Sequence, residues 1–169
     1  MSDHDAQIVQ HIPRLRRYAR ALTGDRGAAD DLVQDTLERA LSRYHLWRPG
    51  SDLRAWLFTI MHNIFVNQAR SRARRQHEAL EADPGAEALR GRDPDWLALR
   101  DLENALGRVP DEQRAVLLLV GLEQFTYDEA ARILNIPIGT VMSRLSRGRE
   151  RLRVLLDGAT SVASLKLVK

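Results

Sequence analysis

The stretch TYDEAARILNIPIGTVMSRLSRGRERL, from Thr126 to Leu152, decides the fold of the second half of the chain. It opens on a capping box formed by Thr126 and Glu129, and the short helix that follows is expected to end in a turn at Asn135. The next helix carries its apolar residues at a four-three-four-three spacing, at Val141, Leu145, Gly148, Leu152 and Leu155. Two helices of this kind joined by a tight turn predict a helix-turn-helix.

The other face of the second helix is polar and cationic, and it consists of Thr140, Ser143, Arg144, Arg147 and Arg151. The major groove of B-DNA is about 12 Å wide and admits one helix, so these side chains could reach base edges and phosphates. Guanidinium groups suit guanine, whereas hydroxyl groups suit phosphates or adjacent bases. An ordinary solvent-exposed face of an arginine-rich helix has the same pattern, so these residues alone leave both interpretations open.

Composition limits the classes of protein to which the chain can belong. Its 169 residues suffice for one domain or for two small domains of about 70 residues each. The chain is 44% hydrophobic, 29% charged and only 5% aromatic, which predicts an all-α fold. The lack of cysteine excludes a disulfide framework and a cysteine nucleophile. We see no signal segment and no apolar run of about 18 residues, so we expect a cytoplasmic protein without membrane insertion.

The distribution of charge divides the chain into three blocks. Residues 1–75 hold thirteen arginines against eight acidic residues, residues 76–95 hold two against six, and residues 96–169 hold eleven lysines and arginines against nine. The middle block shows no sustained periodicity and contains Pro84, Gly85, Gly91 and Pro94. It is therefore predicted to be a flexible acidic linker between two helical domains, 1–75 and 96–157, and the tail 158–169 is expected to fray.

Helical spacing predicts three main helices in the first domain. The first is bent or restarted by Pro13 and ends at Gly24, the second is entered through a turn at Gly27, and the third is capped by Ser51 or Asp52. The second helix carries a polar stripe opposite its apolar one, formed by Asp31, Gln34, Asp35 and Glu38. A solvated helix face explains this stripe as well as a protein-docking surface does.

The end of the third helix is strongly basic, with arginines at Arg70, Arg72, Arg74 and Arg75. One or two cations complement a helix dipole, but four favour additional contacts with phosphates. Trp56 lies on the apolar stripe of this helix and is expected in the core, with Phe58 nearby. Trp47 lies on the preceding loop and is the better candidate for a functional aromatic residue.

Three segments together resemble the extracytoplasmic-function group of bacterial sigma factors. They are ADDLVQDTLERAL, LRAWLFTIMHNIFVNQARSRARR and the long stretch from VPDEQRAVLLLV to GRERLRVLL, and the resemblance covers nearly the whole chain. It implies a dissociable promoter-recognition subunit of RNA polymerase that retains the second and fourth sigma regions, joined by a linker. The expected partners are core RNA polymerase, promoter DNA and an anti-sigma factor, with no cofactor.

The resemblance also implies roles for particular residues. The stripe Asp31, Gln34, Asp35 and Glu38 would dock on the clamp helices of the largest polymerase subunit, and the flank of the helix-turn-helix would meet the flap of the second-largest subunit. A base of the −10 element would flip into a pocket formed by the loop from Trp47 to Asp52 and the following helix, with contacts from Trp47, Arg54, Asn63, Asn67, Arg70 and Arg74. The −35 element would be recognised by Thr140, Ser143, Arg144, Arg147 and Arg151.

Other classes of function fit the residues less well. The chain has none of the zinc-protease, P-loop or nucleophile-elbow motifs, and its five histidines are scattered, so neither an enzyme nor a histidine metal site is expected. The acidic residues from Asp25 to Asp35 lack the ligand spacing of a calcium-binding EF-hand. The stronger alternative is a dimeric helix-turn-helix regulator, which would bind a palindromic site without replacing the sigma subunit.

Overall fold

The computed structural model describes the chain from residue 2 to 78 and from 94 to 167, and it describes side chains at 2–75 and 97–158. Those residues form helices and no strand, so the all-α prediction is confirmed. In chain order the helices are α1 (Asp3–Val9), α2 (Ile12–Thr23), α3 (Arg26–Ser42), a 3₁₀ turn (Tyr44–Leu46), α4 (Leu53–Glu78), α5 (Pro94–Gly107), α6 (Asp111–Leu117), a π-helical turn (Leu118–Leu122), α7 (Tyr127–Leu134) and α8 (Ile138–Leu167). We call residues 2–78 the first module and residues 94–167 the second module.

Local signals in the sequence set the helix ends of the first module. Pro13 lies in the first turn of α2, where a proline is tolerated, so it separates α1 from α2 as expected. Gly24 ends α2 in the left-handed region at φ 68°, and the Asp25 carboxylate accepts a hydrogen bond from the Ala28 amide at 3.0 Å. The prediction of a turn at Gly27 was therefore wrong, because Gly27 lies inside α3. Asp52 rather than Ser51 caps α4, since its Oδ1 accepts from the Ala55 amide at 3.2 Å.

The second module contains the predicted helix-turn-helix in α7 and α8. The capping box of Thr126 and Glu129 is present, and Asn135 makes the turn with φ 53°. Val141, Leu145 and Gly148 of the predicted stripe are buried, and Leu152 and Leu155 are partly buried. Gly148 is needed where α8 crosses α6, because a Cβ atom there would lie 3.0 Å from Cδ1 of Leu117.

The ends of both modules differ from the predicted boundaries. Helix α4 runs three residues past 75, to Glu78, and α5 begins at Pro94, so the remaining part of the predicted linker lies outside the described residues. Helix α8 continues through Gly158 to Leu167, which corrects the expectation that the tail frays at this point. A glycine inside a helix costs only about 1 kcal/mol relative to alanine, which is too little to end a long helix.

The two modules pack against each other around a continuous apolar core. Phe58 of α4 and Phe125, which precedes α7, meet edge to face with ring centroids 5.2 Å apart. The buried guanidinium of Arg114 on α6 crosses between the modules, because its Nη1 donates to the Leu22 carbonyl at the end of α2 at 2.7 Å. The sequence left the relative placement of the modules open, and the structure places them in contact.

Candidate nucleic-acid interface

Helix α8 carries the first candidate surface, which we call the recognition face: Thr140, Ser143, Arg144, Arg147 and Arg151. Spacings of three and four residues place them along one side of the helix, away from the buried stripe. Arg147 and Arg151 are exposed, whereas Arg144 is partly covered, with its Nη2 3.7 Å from Oε2 of Glu112. The structure therefore assembles all five predicted residues, and it leaves two of the three guanidinium groups open to solvent.

Helix α4 carries the second candidate surface, which we call the α4 polar face: Asn63, Asn67, Arg70 and Arg74. All four side chains are exposed, and they follow one another at intervals of four, three and four residues. Amide and guanidinium groups in a row can pair with base edges and phosphates. Four of the six residues predicted for −10 recognition thus share one surface.

Arg54 does not belong to that surface. It precedes Asn63 by nine residues, which corresponds to half a turn around the helix, so the two point to opposite sides. The Arg54 Nη1 donates to the Glu123 carbonyl of the second module at 3.2 Å, and its guanidinium carbon lies 4.1 Å from the ring centre of Phe125. In this arrangement Arg54 is occupied by the second module.

Trp47 was predicted to be a functional aromatic residue because it lies on a loop, but its side chain is only partly exposed. It is partly buried against the core, 5.4 Å from Tyr44 between ring centroids. Its indole Nε1 is buried and has no hydrogen-bond partner within the described parts of the chain. A buried donor without a partner is costly, and because this N–H is covered, an external acceptor could reach it only after the loop rearranges.

The polar stripe of α3 is exposed, and two of its residues, Gln34 and Glu38, line a groove. Asp31, Gln34, Asp35 and Glu38 all face solvent, although the Gln68 amide of α4 donates to the Asp35 carboxylate at 3.2 Å.

The groove lies between α2 and α3, with Val33 and Leu37 among the residues that line it. Its cationic residues, which sequence reasoning missed, are Arg16, Arg20 and Arg26. Arg16 and Arg20 are four residues apart on α2, and that spacing was the available signal.

His62 of α4 lies where the two modules meet. Burial, and then the positive charge of Arg144, lower the pKa of His62 to about 4 from its ordinary value of 6.5. Its Nδ1 is buried and finds no hydrogen-bond partner among the residues described. The electrostatic influence of Arg144 on His62 indicates that the recognition face and α4 approach each other in this arrangement.

Sequence reasoning also missed the charged contacts that join the modules. The Arg17 Nη2 donates to Oε1 of the buried Glu123 at 3.0 Å, across 106 positions of sequence. Glu123 follows the π-helical turn and precedes Gln124, which has a left-handed φ of 60°. Nothing in the local sequence marks such a long-range pair, because neither residue has a periodic signal that names its partner.

Neither a metal centre nor a membrane span is found in the described part of the chain. Over that part, no cluster of three or more histidine, cysteine, aspartate or glutamate side chains could hold a metal ion. Of the helices within it, none combines the length and the apolarity that crossing a membrane requires.

Two families match the chain, one in each module. Residues 8–62 match the sigma2 domain of PhyR, and residues 99–152 match region 4 of sigma-70. The first match includes the polar stripe of α3 and the start of α4, and the second includes the whole recognition face.

Known proteins are similar over nearly the full chain. It is 40% identical to the ECF RNA polymerase sigma factor EcfG of Rhodopseudomonas palustris over 161 residues, which cover 90% of this chain and 85% of that protein. Among solved structures, the sigma factor RpoE of Bartonella quintana, in complex with the anti-sigma factor NepR, has a TM-score of 0.83, 36% identity and coverage of 93% of this chain and 98% of that one. CnrH in complex with the cytosolic domain of CnrY has a TM-score of 0.66 and 26% identity, covering 92% and 88%.

The partly buried His62 predicts that acid destabilises the packed structure. Because its folded pKa is lowered, its stabilising contribution is complete above about pH 6.5 and is lost as the pH falls toward 4. Between pH 7.5 and pH 5 this residue should remove about 2 kcal/mol from the free energy of unfolding. Urea unfolding at the two pH values measures the loss.

The same measurement on His62→Gln isolates the effect of this residue. The variant should lose less stability on acidification than the wild type, while His45→Gln, a change at an exposed histidine, should not differ from the wild type. A smaller loss persists in His62→Gln because burial also lowers the pKa of His11. An equal loss in His62→Gln and wild type would contradict the prediction.

Proposed function

The chain belongs to the extracytoplasmic-function sigma factors of the sigma-70 family, and we propose that it directs core RNA polymerase to promoters with its two modules recognising separate DNA elements. The observation that carries the proposal is the recognition face, five side chains suited to DNA binding that share one side of the second helix of a helix-turn-helix. The chain supplies recognition, has no catalytic step of its own and acts in the cytoplasm. The matches in both modules favour a sigma factor over a dimeric helix-turn-helix regulator.

The recognition face is assigned to the −35 element in duplex DNA. Arg147 and Arg151 are exposed, and a guanidinium can donate two parallel hydrogen bonds to O6 and N7 of guanine. Ser143 and Thr140 lie near the start of α8, where hydroxyl and backbone donors suit phosphate oxygens. The arrangement combines base recognition with positioning on the backbone.

The −10 element is assigned to the α4 polar face and to the loop that contains Trp47. Opening a duplex costs a few kcal/mol for each unstacked step, and binding of the exposed bases and phosphates must offset that cost. Asn63 and Asn67 offer donors and acceptors for base edges, while Arg70 and Arg74 offer charge for the phosphates. Trp47 is only partly buried, so its ring gives the loop an aromatic surface on which a flipped base could stack.

The α2–α3 groove is assigned to the clamp helices of core polymerase. Its lining combines Val33 and Leu37 with acidic and basic side chains, which suits an amphipathic helix carrying charges of both signs. The flank of the helix-turn-helix is assigned to the flap. An anti-sigma factor is proposed as a further partner, because the similar sigma factor RpoE was solved in complex with the anti-sigma factor NepR.

Run-off transcription tests the proposed function. Purified full-length protein mixed with core polymerase should initiate at defined sites on genomic fragments, because the sigma subunit supplies promoter selection. Core polymerase alone is the control. Nonspecific initiation in both reactions, together with binding of the protein to a palindromic duplex as a dimer, would instead establish the helix-turn-helix regulator.

Arg147→Ala should weaken binding of the −35 duplex by about 1–3 kcal/mol and relax the preference at one base pair. The control is Arg149→Ala, an exposed arginine on the same helix that lies about 200° from Arg147 and outside the recognition face. Fluorescence anisotropy with a set of single-base variants of the promoter measures both effects. A uniform loss across all variants would mean that Arg147 contacts phosphate and recognises no base.

Asp31→Lys combined with Glu38→Lys should reduce holoenzyme assembly at least about tenfold, because two negative charges of the α3 stripe, of which Glu38 lines the groove, become positive. Asp35 is left unchanged because it is hydrogen-bonded to Gln68. The control is Asp101→Lys combined with Glu103→Lys, which makes the same change of charge at exposed positions of α5. Competition binding to core polymerase provides the measurement, with circular dichroism as the check of folding. Equal assembly by the two double variants would remove the α3 stripe from the docking surface.

A further inference from the structure

The contact between the modules contains a buried carboxylate that is only partly compensated. Oε1 of Glu123 accepts from Arg17 Nε at 3.3 Å and from Arg17 Nη2 at 3.0 Å. Its Oε2 is buried without a hydrogen-bond partner among the described residues. The Arg54 guanidinium donates to the backbone carbonyl of Glu123 and not to this carboxylate. Arg17 thus provides the direct charge compensation that the structure shows.

The two sides of this ion pair differ in their exposure to water. The Glu123 side chain is 0% exposed, whereas the Arg17 side chain is 54% exposed. Loss of Arg17 would leave a buried negative charge unpaired, and such a charge is strongly destabilising. Separation of the modules would hydrate Glu123 and remove that penalty. The packed arrangement therefore depends on Arg17.

Tyr18 lies close to this carboxylate and does not replace Arg17. Burial, and then the negative charge of Glu123, raise the pKa of Tyr18, so its hydroxyl stays protonated. That hydroxyl is buried and has no hydrogen-bond partner among the residues for which the structure gives side chains. It brings no positive charge to the contact.

The contact between the modules also occupies Arg54, which was predicted to bind DNA. Arg54 donates to the Glu123 carbonyl and stacks on Phe125, so it cannot contact DNA while the modules are packed. A guanidinium that binds one surface is unavailable to the other, and the two states compete for it. Packing of the modules and use of Arg54 on the −10 element exclude each other.

We propose that Arg17 and Glu123 form a latch that holds the modules in a closed state in which Arg54 is unavailable to DNA. The latch rests on the contacts between the modules, whereas its consequence for DNA rests on the proposed function. Breaking the pair from the Arg17 side opens the protein. Neutralising Glu123 removes the dependence on Arg17, because the buried charge that requires compensation is gone.

Single-molecule energy transfer on the full-length protein tests the latch. The chain has no cysteine, so Arg43→Cys in the first module and Asp101→Cys in the second, both exposed, provide one dye site each. Arg17→Gln should lower the ratio of closed to open molecules about tenfold or more relative to the dye-labelled wild type. Arg14→Gln, an exposed arginine on the same helix, is the matched control and should leave the ratio unchanged.

A second variant separates the latch from general damage to α2. Glu123→Gln should remain closed, and adding Arg17→Gln to it should change the ratio less than twofold. A structural role of Arg17 within its own helix would not be rescued in this way. An unchanged ratio in Arg17→Gln, or equal opening by Arg17→Gln in both backgrounds, would overturn the latch.

Binding of promoter DNA in the absence of polymerase tests whether the closed state is inhibited in its binding of the −10 element. The opened Arg17→Gln variant should bind a −10 fragment with an exposed non-template strand several-fold more tightly than Arg14→Gln. Opening without tighter binding would overturn the inhibitory role of the latch. Because energy transfer involves neither DNA nor polymerase, failure of the latch is distinguishable from failure of the proposed sigma function in run-off transcription.

Discussion

Helix α4 packs within the first module, contacts the second module and also faces solvent, so its side chains are divided among three sides. The arrangement of the whole molecule depends on this constraint. One side packs on α3 and buries Leu57 and Met61 within the first module. A second side contains Arg54, Phe58 and His62, which fall within about 80° of one another and face the second module. The side that remains for solvent is the α4 polar face. Packing against α3 and against the second module therefore limits which side chains of α4 are free to contact DNA.

This division of α4 explains where prediction from periodicity succeeded and where it did not. Helix caps and turns depend on residues a few positions apart, so Asp52, Thr126 and Asn135 could be assigned from the sequence. A helix buried on two sides has no single apolar stripe, and Trp56, expected in the core, is only partly buried while Phe58 is fully buried.

Contacts between the modules had no comparable local signal. Arg114 and Leu22 are 92 positions apart, and Arg17 and Glu123 are 106 apart, so no repeat within a helix could pair them. The recognition face and the polar stripe of α3 were visible as patterns because each lies on one helix. The groove that joins the α3 stripe to arginines of α2 required the packing of two helices, and the roles of these surfaces remain predictions.

Two buried charges at the contact show opposite degrees of compensation. The Arg114 guanidinium donates to the carbonyls of Leu22, Leu106, Gly107 and Val109 and to the Asp111 carboxylate, at distances from 2.6 to 3.2 Å. All three of its nitrogens are engaged, so it fixes the end of α5 and the start of α6 firmly. Glu123 has one oxygen paired and one unpaired. Separation of the modules would break the hydrogen bond from Arg114 to the Leu22 carbonyl as well as the ion pair between Arg17 and Glu123.

The packed arrangement does not cover the two predicted DNA surfaces equally. Arg147 and Arg151 of the recognition face are exposed, and only Arg144 is partly covered. In the first module, by contrast, Arg54 is occupied by the second module. Closure therefore occupies Arg54 of the proposed −10 residues and leaves the α4 polar face exposed. In the proposed latch, opening adds Arg54 to a surface that is otherwise exposed already, whereas Arg147 and Arg151 of the recognition face do not depend on that step.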